Sequence, residues 1–152
     1  MESMEARMVK LYARNNNHVA LHAIPGHFAT SHSHINFYID MTSLKTRANE
    51  AQEVAKSLAG DYVNSTVVDT IVCMDGTEVV GAYLAQEFEK RGFRNTNLHD
   101  TIYVVTPEYN ANNQLIFRDN TIPAIKGKNV ILLLATTTTG LTVRRSLECV
   151  QY

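Results

Sequence analysis

The second half of the chain alternates short, nearly uninterrupted apolar runs with amphipathic segments. The apolar runs are residues 67–73, 101–106 and 129–134. Segments with helical patterning cover residues 77–91, just before Gly92, and residues 141–152. Apolar runs of this length predict strands buried on both faces, and their alternation with helices predicts parallel pairing. We therefore predict an α/β fold with a central, mainly parallel sheet and helices on both faces.

The first half predicts two helices with a strand between them. A first helix is expected to end near Ala13, because Met4, Met8, Leu11 and Tyr12 share one helical face. Residues 35–40 alternate apolar and polar side chains, as a half-buried strand does. An apolar stripe from Leu44 to Leu58 then predicts a longer helix that stops at Gly60. We assign one domain to residues 1–152, with an N-terminal segment at 1–40 and a core at 61–152.

Composition and charge narrow the class of protein. The chain is 45% hydrophobic and 19% charged, which is typical of a globular domain. A net charge of -1 gives no reason to expect nucleic acid or an anionic membrane as a partner. Its two cysteines lie in apolar runs without disulfide spacing, so we expect a cytoplasmic protein.

A hydroxyl-rich loop follows the last apolar run. Backbone N–H groups at the start of the next helix carry partial positive charge, and hydroxyl groups add hydrogen-bond donors. Gly140 permits a positive φ or a close approach of the backbone to a ligand. The loop therefore fits phosphate binding and helix capping by the threonines equally well. The phosphate-binding candidates are Thr136, Thr137, Thr138, Thr139, Gly140, Leu141 and Thr142.

Three segments in order resemble type I phosphoribosyltransferases of the orotate branch. Residues 138–140 match the phosphate-gripping end of that family's ribose-phosphate motif, and the helix continues with Arg144 and Ser146 at the expected offsets. Residues 26–40 are similar to the N-terminal stretch of these enzymes. Residues 67–78 are similar to the strand and pyrophosphate loop.

The resemblance implies an orotate phosphoribosyltransferase-like protein of pyrimidine biosynthesis. It would bind phosphoribosyl pyrophosphate or a nucleotide monophosphate, use Mg²⁺ if active, and form a homodimer. The candidate base contacts are Arg144, Phe37 and Tyr38. The candidate pyrophosphate-loop residues are Asp75, Gly76, Thr77 and Glu78.

Several catalytic positions of the family pattern are replaced. Leu134 and Ala135 stand where the family has two acids that hold the ribose hydroxyls, and neither side chain accepts a hydrogen bond. The region matching the mobile catalytic loop, 108–114, has no lysine or histidine, and Ser31 replaces an expected lysine. We therefore assign no catalytic residue. The alternative function is a catalytically inactive regulatory or nucleotide-binding module.

Other polar residues allow two interpretations. His27, His32 and His34 are close together in the sequence. His32 and His34 could bind a metal from one strand face, but no cysteine or acidic cluster accompanies them. We therefore favour an exposed loop near the ligand for the three histidines and assign no metal ligand. Asp75 and Glu78 fit a helix capping box as well as a metal site. Lys45 and Arg47 fit a solvated helix face, which we favour, or a contact with a phosphate bound in a neighbouring subunit.

The last helical pattern is still running at Tyr152. A sheet of the predicted type would continue with a further strand. We expect either a chain truncated after Tyr152, which we favour, or completion of the fold by a partner chain.

Overall fold

The computed structural model describes residues 3–30, 33–62, 66–112, 114–137 and 139–151. After a 3-10 turn at Glu5–Arg7, the chain begins with an antiparallel sheet in the order β1-β2-β3. Its strands are β1 (Val9–Ala13), β2 (Asn16–Ala29) and β3 (His34–Asp40).

The predicted first helix is wrong, because the same residues pair as strands. The helical spacing of Met4, Met8 and Leu11 competes with the alternation of Val9 and Leu11, which suits a strand equally well. Cross-strand pairing decides between them: Val9 lies opposite Ala23, and Leu11 lies opposite Leu21. The strand predicted at 35–40 is confirmed as β3.

Two helices follow where one was predicted, α1 (Thr42–Thr46) and α2 (Ala48–Gly60). Arg47 interrupts the helix with an extended backbone, at φ −84° and ψ 119°. The apolar stripe of α2 is confirmed, since Ala51, Ala55 and Ala59 are completely buried. These small side chains let α2 pack closely against its neighbours.

The remaining elements include a small parallel sheet and a hairpin. They are β4 (Thr70–Cys73), α3 (Glu78–Lys90), β5 (Tyr103–Val105), β6 (Glu108–Tyr109), β7 (Leu115–Ile116), β8 (Val130–Leu133) and α4 (Leu141–Gln151). The parallel sheet has the order β5-β4-β8, and β6 pairs with β7 in an antiparallel hairpin.

The predicted fold class needs correction. The described residues form a mixed α/β structure in which an antiparallel three-stranded sheet stands beside a parallel three-stranded one. A central, mainly parallel sheet with helices on both faces is wrong, because residues 9–40 pair among themselves instead of joining the parallel strands. Parallel pairing itself was predicted correctly for β4, β5 and β8.

The hydrophobic core lies between the parallel sheet and the two long helices α2 and α3. Ile71 and Cys73 face Leu84 and Phe88 of α3 within this core. On the opposite face of β4, the Thr70 hydroxyl donates a hydrogen bond to the Ala124 carbonyl, in the 3-10 turn Ile122–Ala124. Among the described helices, none has the length and apolar character required to cross a membrane.

Candidate functional site

Two loops leave the same edge of the parallel sheet. Cys73 of β4 lies opposite Leu133 of β8, so both strands end at the same level. One residue later, the Met74 N–H donates to the Leu133 carbonyl at 2.9 Å. The turn after β4 and the hydroxyl-rich loop after β8, which we call the threonine loop (residues 136–140), are therefore neighbours at the carboxyl edge of the sheet. This edge is the usual ligand side of parallel sheets.

The turn after β4 has an unusual backbone. Asp75 and Gly76 both have positive φ, at 56° and 75°, and both are exposed. Thr77 is buried, and its hydroxyl donates to the carbonyl oxygens of Met74 at 2.7 Å and Leu133 at 3.3 Å. The Thr77 hydroxyl thus fastens the turn to β8, which leaves the exposed backbone at 75–76 as the part that could meet a ligand.

The capping-box interpretation of Asp75 and Glu78 is wrong. Helix α3 begins at Glu78 with Thr77 as its N-cap, so Asp75 lies two residues before the N-cap position. Glu78 instead accepts a hydrogen bond from the Thr106 hydroxyl at 3.3 Å, which links the start of α3 to the end of β5. Both carboxylates remain exposed at the carboxyl edge.

Lys45 reaches this turn from α1. Its ammonium group donates to the Asp75 carbonyl at 2.7 Å. The sequence predicted either a solvated helix face or a contact with a phosphate of a neighbouring subunit for Lys45. It carried no signal that α1 would fold against residues 75–76 of the same chain. The structure therefore adds one cation to the carboxyl edge.

The threonine loop has the conformation that its glycine suggested. Gly140 has φ 79°, and the Arg144 N–H donates to its carbonyl at 3.0 Å in the first turn of α4. Thr138 lies outside the described residues. An open groove of about 700 Å³ adjoins the loop. The candidate residues that line it are Thr137, Thr139, Gly140 and Arg144.

The predicted phosphate-binding set is divided between two grooves. Thr142 lines a second, larger cleft of about 1280 Å³ together with Arg145 and residues of the β6–β7 hairpin. Leu141 begins α4 and is half-buried, while Thr136 is exposed at the start of the loop. The structure thus brings Thr137, Thr139 and Gly140 together but separates Thr142 from them.

Arg144 is the basic side chain on the first groove. Its Nε lies 3.1 Å from Oε1 of Glu148, one turn along α4, and its side chain is 79% exposed. An exposed pair of this kind is weak, about 0–1 kcal/mol, so the guanidinium can exchange Glu148 for an anionic ligand.

Two of the positions that depart from the family pattern are apolar, and a third region contains a glutamate that is paired with an arginine. Leu134 and Ala135 are half-buried at the end of β8. Residues 108–116 include the β6–β7 hairpin, in which Glu108 forms an ion pair with Arg118. This arginine therefore already has a carboxylate partner.

The candidate base contacts in β3 diverge. Phe37 and Tyr38 are consecutive strand residues, so their side chains project to opposite faces of the antiparallel sheet. Tyr38 contacts Phe28, with ring centroids 5.7 Å apart. The two rings therefore cannot stack together on a single base.

The histidines of the β2–β3 connection are partly described. Ser31 and His32 lie outside the described residues, so the structure does not test the His32–His34 spacing. His34 contacts His27 of β2 instead. In the described part of the chain, no group of three or more histidine, cysteine, aspartate or glutamate side chains is arranged to hold a metal ion.

No protein-family model matches the chain, and a comparison with curated proteins gives no sequence match.

Proposed function

We propose that this protein binds phosphoribosyl pyrophosphate or a nucleotide monophosphate, with the 5′-phosphate held by the threonine loop. The observation that carries the proposal is the positive φ of Gly140 directly before helix α4. The N–H groups of the first helical turn have no partners within the helix, and they carry the partial positive charge that a phosphate requires. Exposed hydroxyl groups of Thr137 and Thr139 stand beside them.

The turn at Asp75–Gly76 supplies the second part of the proposed site. Its exposed backbone adjoins β8, and the Lys45 ammonium group lies against it. A ligand with phosphate at both ends, such as phosphoribosyl pyrophosphate, matches two neighbouring loops better than a single anion does. Asp75 and Glu78 would hold Mg²⁺ together with phosphate oxygens of the ligand, because Mg²⁺ uses one or two carboxylates plus substrate phosphates. Such an ion would neutralise charge on the pyrophosphate.

Binding without turnover is the variant of this proposal that the residues favour. The half-buried side chains of Leu134 and Ala135 cannot accept hydrogen bonds from a ribose diol. The segment that matches the family's mobile loop, residues 108–114, has no lysine or histidine to neutralise a departing pyrophosphate. An orotate phosphoribosyltransferase-like enzyme remains the other variant, in a reducing cytoplasm where both cysteines stay free.

The binding proposal is tested by calorimetric titration of the protein with phosphoribosyl pyrophosphate, orotidine monophosphate and inorganic phosphate, each with and without Mg²⁺. We expect the two ribose phosphates to bind. The substitution Lys45→Gln should weaken the binding of phosphoribosyl pyrophosphate more than the binding of orotidine monophosphate. Lys56→Gln is the matched control, since Lys56 pairs with Glu53 on α2. Absence of binding by both ribose phosphates would contradict the proposal.

Turnover is tested separately. The protein is incubated with orotate, phosphoribosyl pyrophosphate and Mg²⁺, and orotidine monophosphate is measured. Binding with no product supports the regulatory or nucleotide-binding module. Product formation that Gly140→Val abolishes supports the transferase.

We also propose that two copies associate through the antiparallel sheet. Val9, Ala23 and Ile39 lie directly opposite one another across its three strands, on the face that also carries Leu11 and Phe37. The exposed apolar side chains lie on the two outer strands, on either side of the buried Ala23, and exposed apolar groups clustered on one face mark an interaction site. The exposed fractions are 47% for Val9, 53% for Leu11, 55% for Phe37 and 43% for Ile39.

Light scattering after size-exclusion chromatography tests this association. The parent chain should be a dimer, and Leu11→Glu should be a monomer. Tyr12→Glu is the control, because Tyr12 is exposed on the opposite face of β1. A monomeric parent would contradict the proposed dimer.

A further inference from the structure

Two histidines meet at the end of the β2–β3 hairpin. Nε2 of His27 and Nδ1 of His34 lie 2.9 Å apart and share a hydrogen bond, in which either ring can be the donor. The rings are stacked, with centroids 4.9 Å apart and an interplanar angle of 29°. Both side chains are exposed, so the pair is open to solutes. One nitrogen of each ring therefore faces its counterpart at an accessible position.

The register of the hairpin creates this meeting. Ala29 lies opposite His34, and His27 precedes Ala29 by two residues, so both imidazoles project from the same face. Between the pairs Pro25–Phe37 and Phe28–Ile35, β2 has two residues where β3 has only Asn36. Such a bulge increases the local twist and redirects side chains. It brings His27 diagonally onto His34.

The separation of the two nitrogens matches two neighbouring positions on a transition metal. With metal–nitrogen bonds of about 2.0–2.1 Å, nitrogens this far apart subtend an angle of about 90° at the metal. That is the angle of square-planar and tetragonal coordination, which Cu²⁺ and Ni²⁺ adopt. Tetrahedral Zn²⁺ needs nitrogens about 3.3–3.4 Å apart, so the pair would have to open by about 0.4–0.5 Å.

We propose that His27 and His34 form a surface binding site for a divalent transition-metal ion with tetragonal coordination, and that Cu²⁺ is its best ligand. Copper heads the affinity order of divalent first-row metals at nitrogen sites. In the free protein one of the two facing nitrogens donates the hydrogen bond to the other. To bind the metal, that ring changes tautomer, so that its proton moves through solvent to the nitrogen that points away, and the metal replaces the hydrogen bond between the rings. Binding to the neutral pair therefore releases no net proton.

The remaining coordination positions belong to water. Within the described ranges, no third histidine, cysteine or carboxylate completes a cluster with this pair. Two imidazoles with water ligands form an open, exchangeable site. This site is separate from the proposed phosphate loops, because it is built from β2 and β3 alone.

Titration of the full chain with Cu²⁺, supplied as its glycine complex, tests the proposal. We expect one Cu²⁺ per chain at neutral pH, and at least about tenfold weaker binding in both His27→Gln and His34→Gln. His18→Gln is the matched control, because His18 is an exposed histidine on the same strand. Equal binding by the parent and the two site variants would overturn the proposal, as would an equal loss in His18→Gln.

Electron paramagnetic resonance of the copper complex supplies a second measurement. The spectrum should be tetragonal with hyperfine coupling to two imidazole nitrogens, and each single variant should lose one of them. A parent spectrum with one imidazole nitrogen or none would overturn the site even if copper bound. Far-ultraviolet circular dichroism of each variant shows that the fold is retained.

Discussion

Asp69 accepts two hydrogen bonds from Asn129 through a single carboxylate oxygen. The backbone nitrogen of Asn129 lies 2.8 Å from Oδ2, and its side-chain Nδ2 lies 2.7 Å from the same atom. The other oxygen accepts hydrogen bonds from the backbone N–H and the hydroxyl of Thr96. Since Asp69 is completely buried, this carboxylate joins the start of β4 to the start of β8 and to the loop before β5.

Replacing this carboxylate should destabilise the parallel sheet. In Asp69→Asn, an amide nitrogen takes the place of one acceptor oxygen and faces buried donors of Thr96 or Asn129. We expect the free energy of unfolding to fall by about 2–4 kcal/mol, the range for a broken buried hydrogen-bond network. Chemical denaturation measures this, with the exposed Asp119→Asn as a control within about 0.5 kcal/mol of the parent. A change in Asp69→Asn no larger than that of the control would contradict the structural role.

The same carboxylate predicts a loss of stability in acid. Burial alone would raise the pKa of Asp69, but the hydrogen bonds from Asn129 and Thr96 outweigh it and lower the pKa from 3.8 to about 2. The folded-state pKa lies below the unfolded value, so the contribution is complete above the unfolded pKa and disappears as the pH falls toward 2. The contribution of Asp69 to the free energy of unfolding amounts to about 2.5 kcal/mol.

Chemical denaturation curves recorded at about one-unit intervals between pH 6 and pH 2 measure this contribution of Asp69 to the free energy of unfolding. The parent should lose more stability below pH 4 than Asp69→Asn does, because the amide does not titrate in this range. Parallel pH profiles for the two proteins would show that Asp69 does not carry the effect.

Helix α3 packs so closely at Gly81 that we expect no larger residue to fit there without strain. A Cβ atom at this position would overlap Sγ of Cys73 and lie 3.3 Å from Cγ1 of Val104. Gly81→Ala should therefore cost about 1–3 kcal/mol of stability, despite the better helix propensity of alanine. Gly60→Ala is the control, because a Cβ there meets no atom within 4 Å. That variant should be neutral or slightly stabilised.

A double-mutant cycle identifies the contact responsible. Cys73→Ala removes the sulfur that the new methyl group would meet, so Gly81→Ala should cost less in that background than in the parent. Additive effects of the two substitutions would place the strain elsewhere.

The two thiols should differ in reactivity. Burial raises the pKa of Cys73 to about 12, and burial also raises the pKa of Cys149, which is less deeply enclosed. Because the thiolate is the reactive form, Cys73 should resist alkylation at pH 8 in the folded protein. In Cys149→Ser, mass spectrometry should find no label under native conditions and one label per chain in denaturant. Native labelling of that variant would contradict the enclosed position of Cys73.

Element types were predictable where one packing pattern dominated. The apolar runs at 67–73, 101–106 and 129–134 contain β4, β5 and β8, of which β4 is buried throughout and β5 and β8 are half-buried. The helix predicted for the N-terminal residues was wrong because two patterns overlap there. Met4, Met8 and Leu11 fit a helical period, while Val9 and Leu11 fit a strand. Only the pairing partner in β2 distinguishes the two, and that partner is a tertiary contact. The fold class failed for the same reason.

The candidate site shows the same limit. The positive φ of Gly140 followed from local sequence, since a glycine between a hydroxyl-rich loop and a helix is a local signal. The contact of Lys45 with Asp75 spans 30 positions, and the pairing of His27 with His34 depends on a strand bulge. The sequence shows His27, His32 and His34 close together but not which of them meet, and it carries no signal for the Lys45 contact. Chemistry assembled from distant segments therefore became visible only in the structure.

A final prediction separates backbone strain from ligand binding at Gly140. Both Gly140 and Gly127 have positive φ, at 79° and 71°, and a Cβ at either position meets no atom within 4 Å. Gly140→Val and Gly127→Val should therefore lose similar stability, about 2 kcal/mol, because the strain is intrinsic to the backbone. Under the proposed function, only Gly140→Val should also lose affinity for orotidine monophosphate. Calorimetry on both variants, at temperatures where each is folded, distinguishes the two effects. Equal affinities in the two variants would remove the threonine loop from the proposed site.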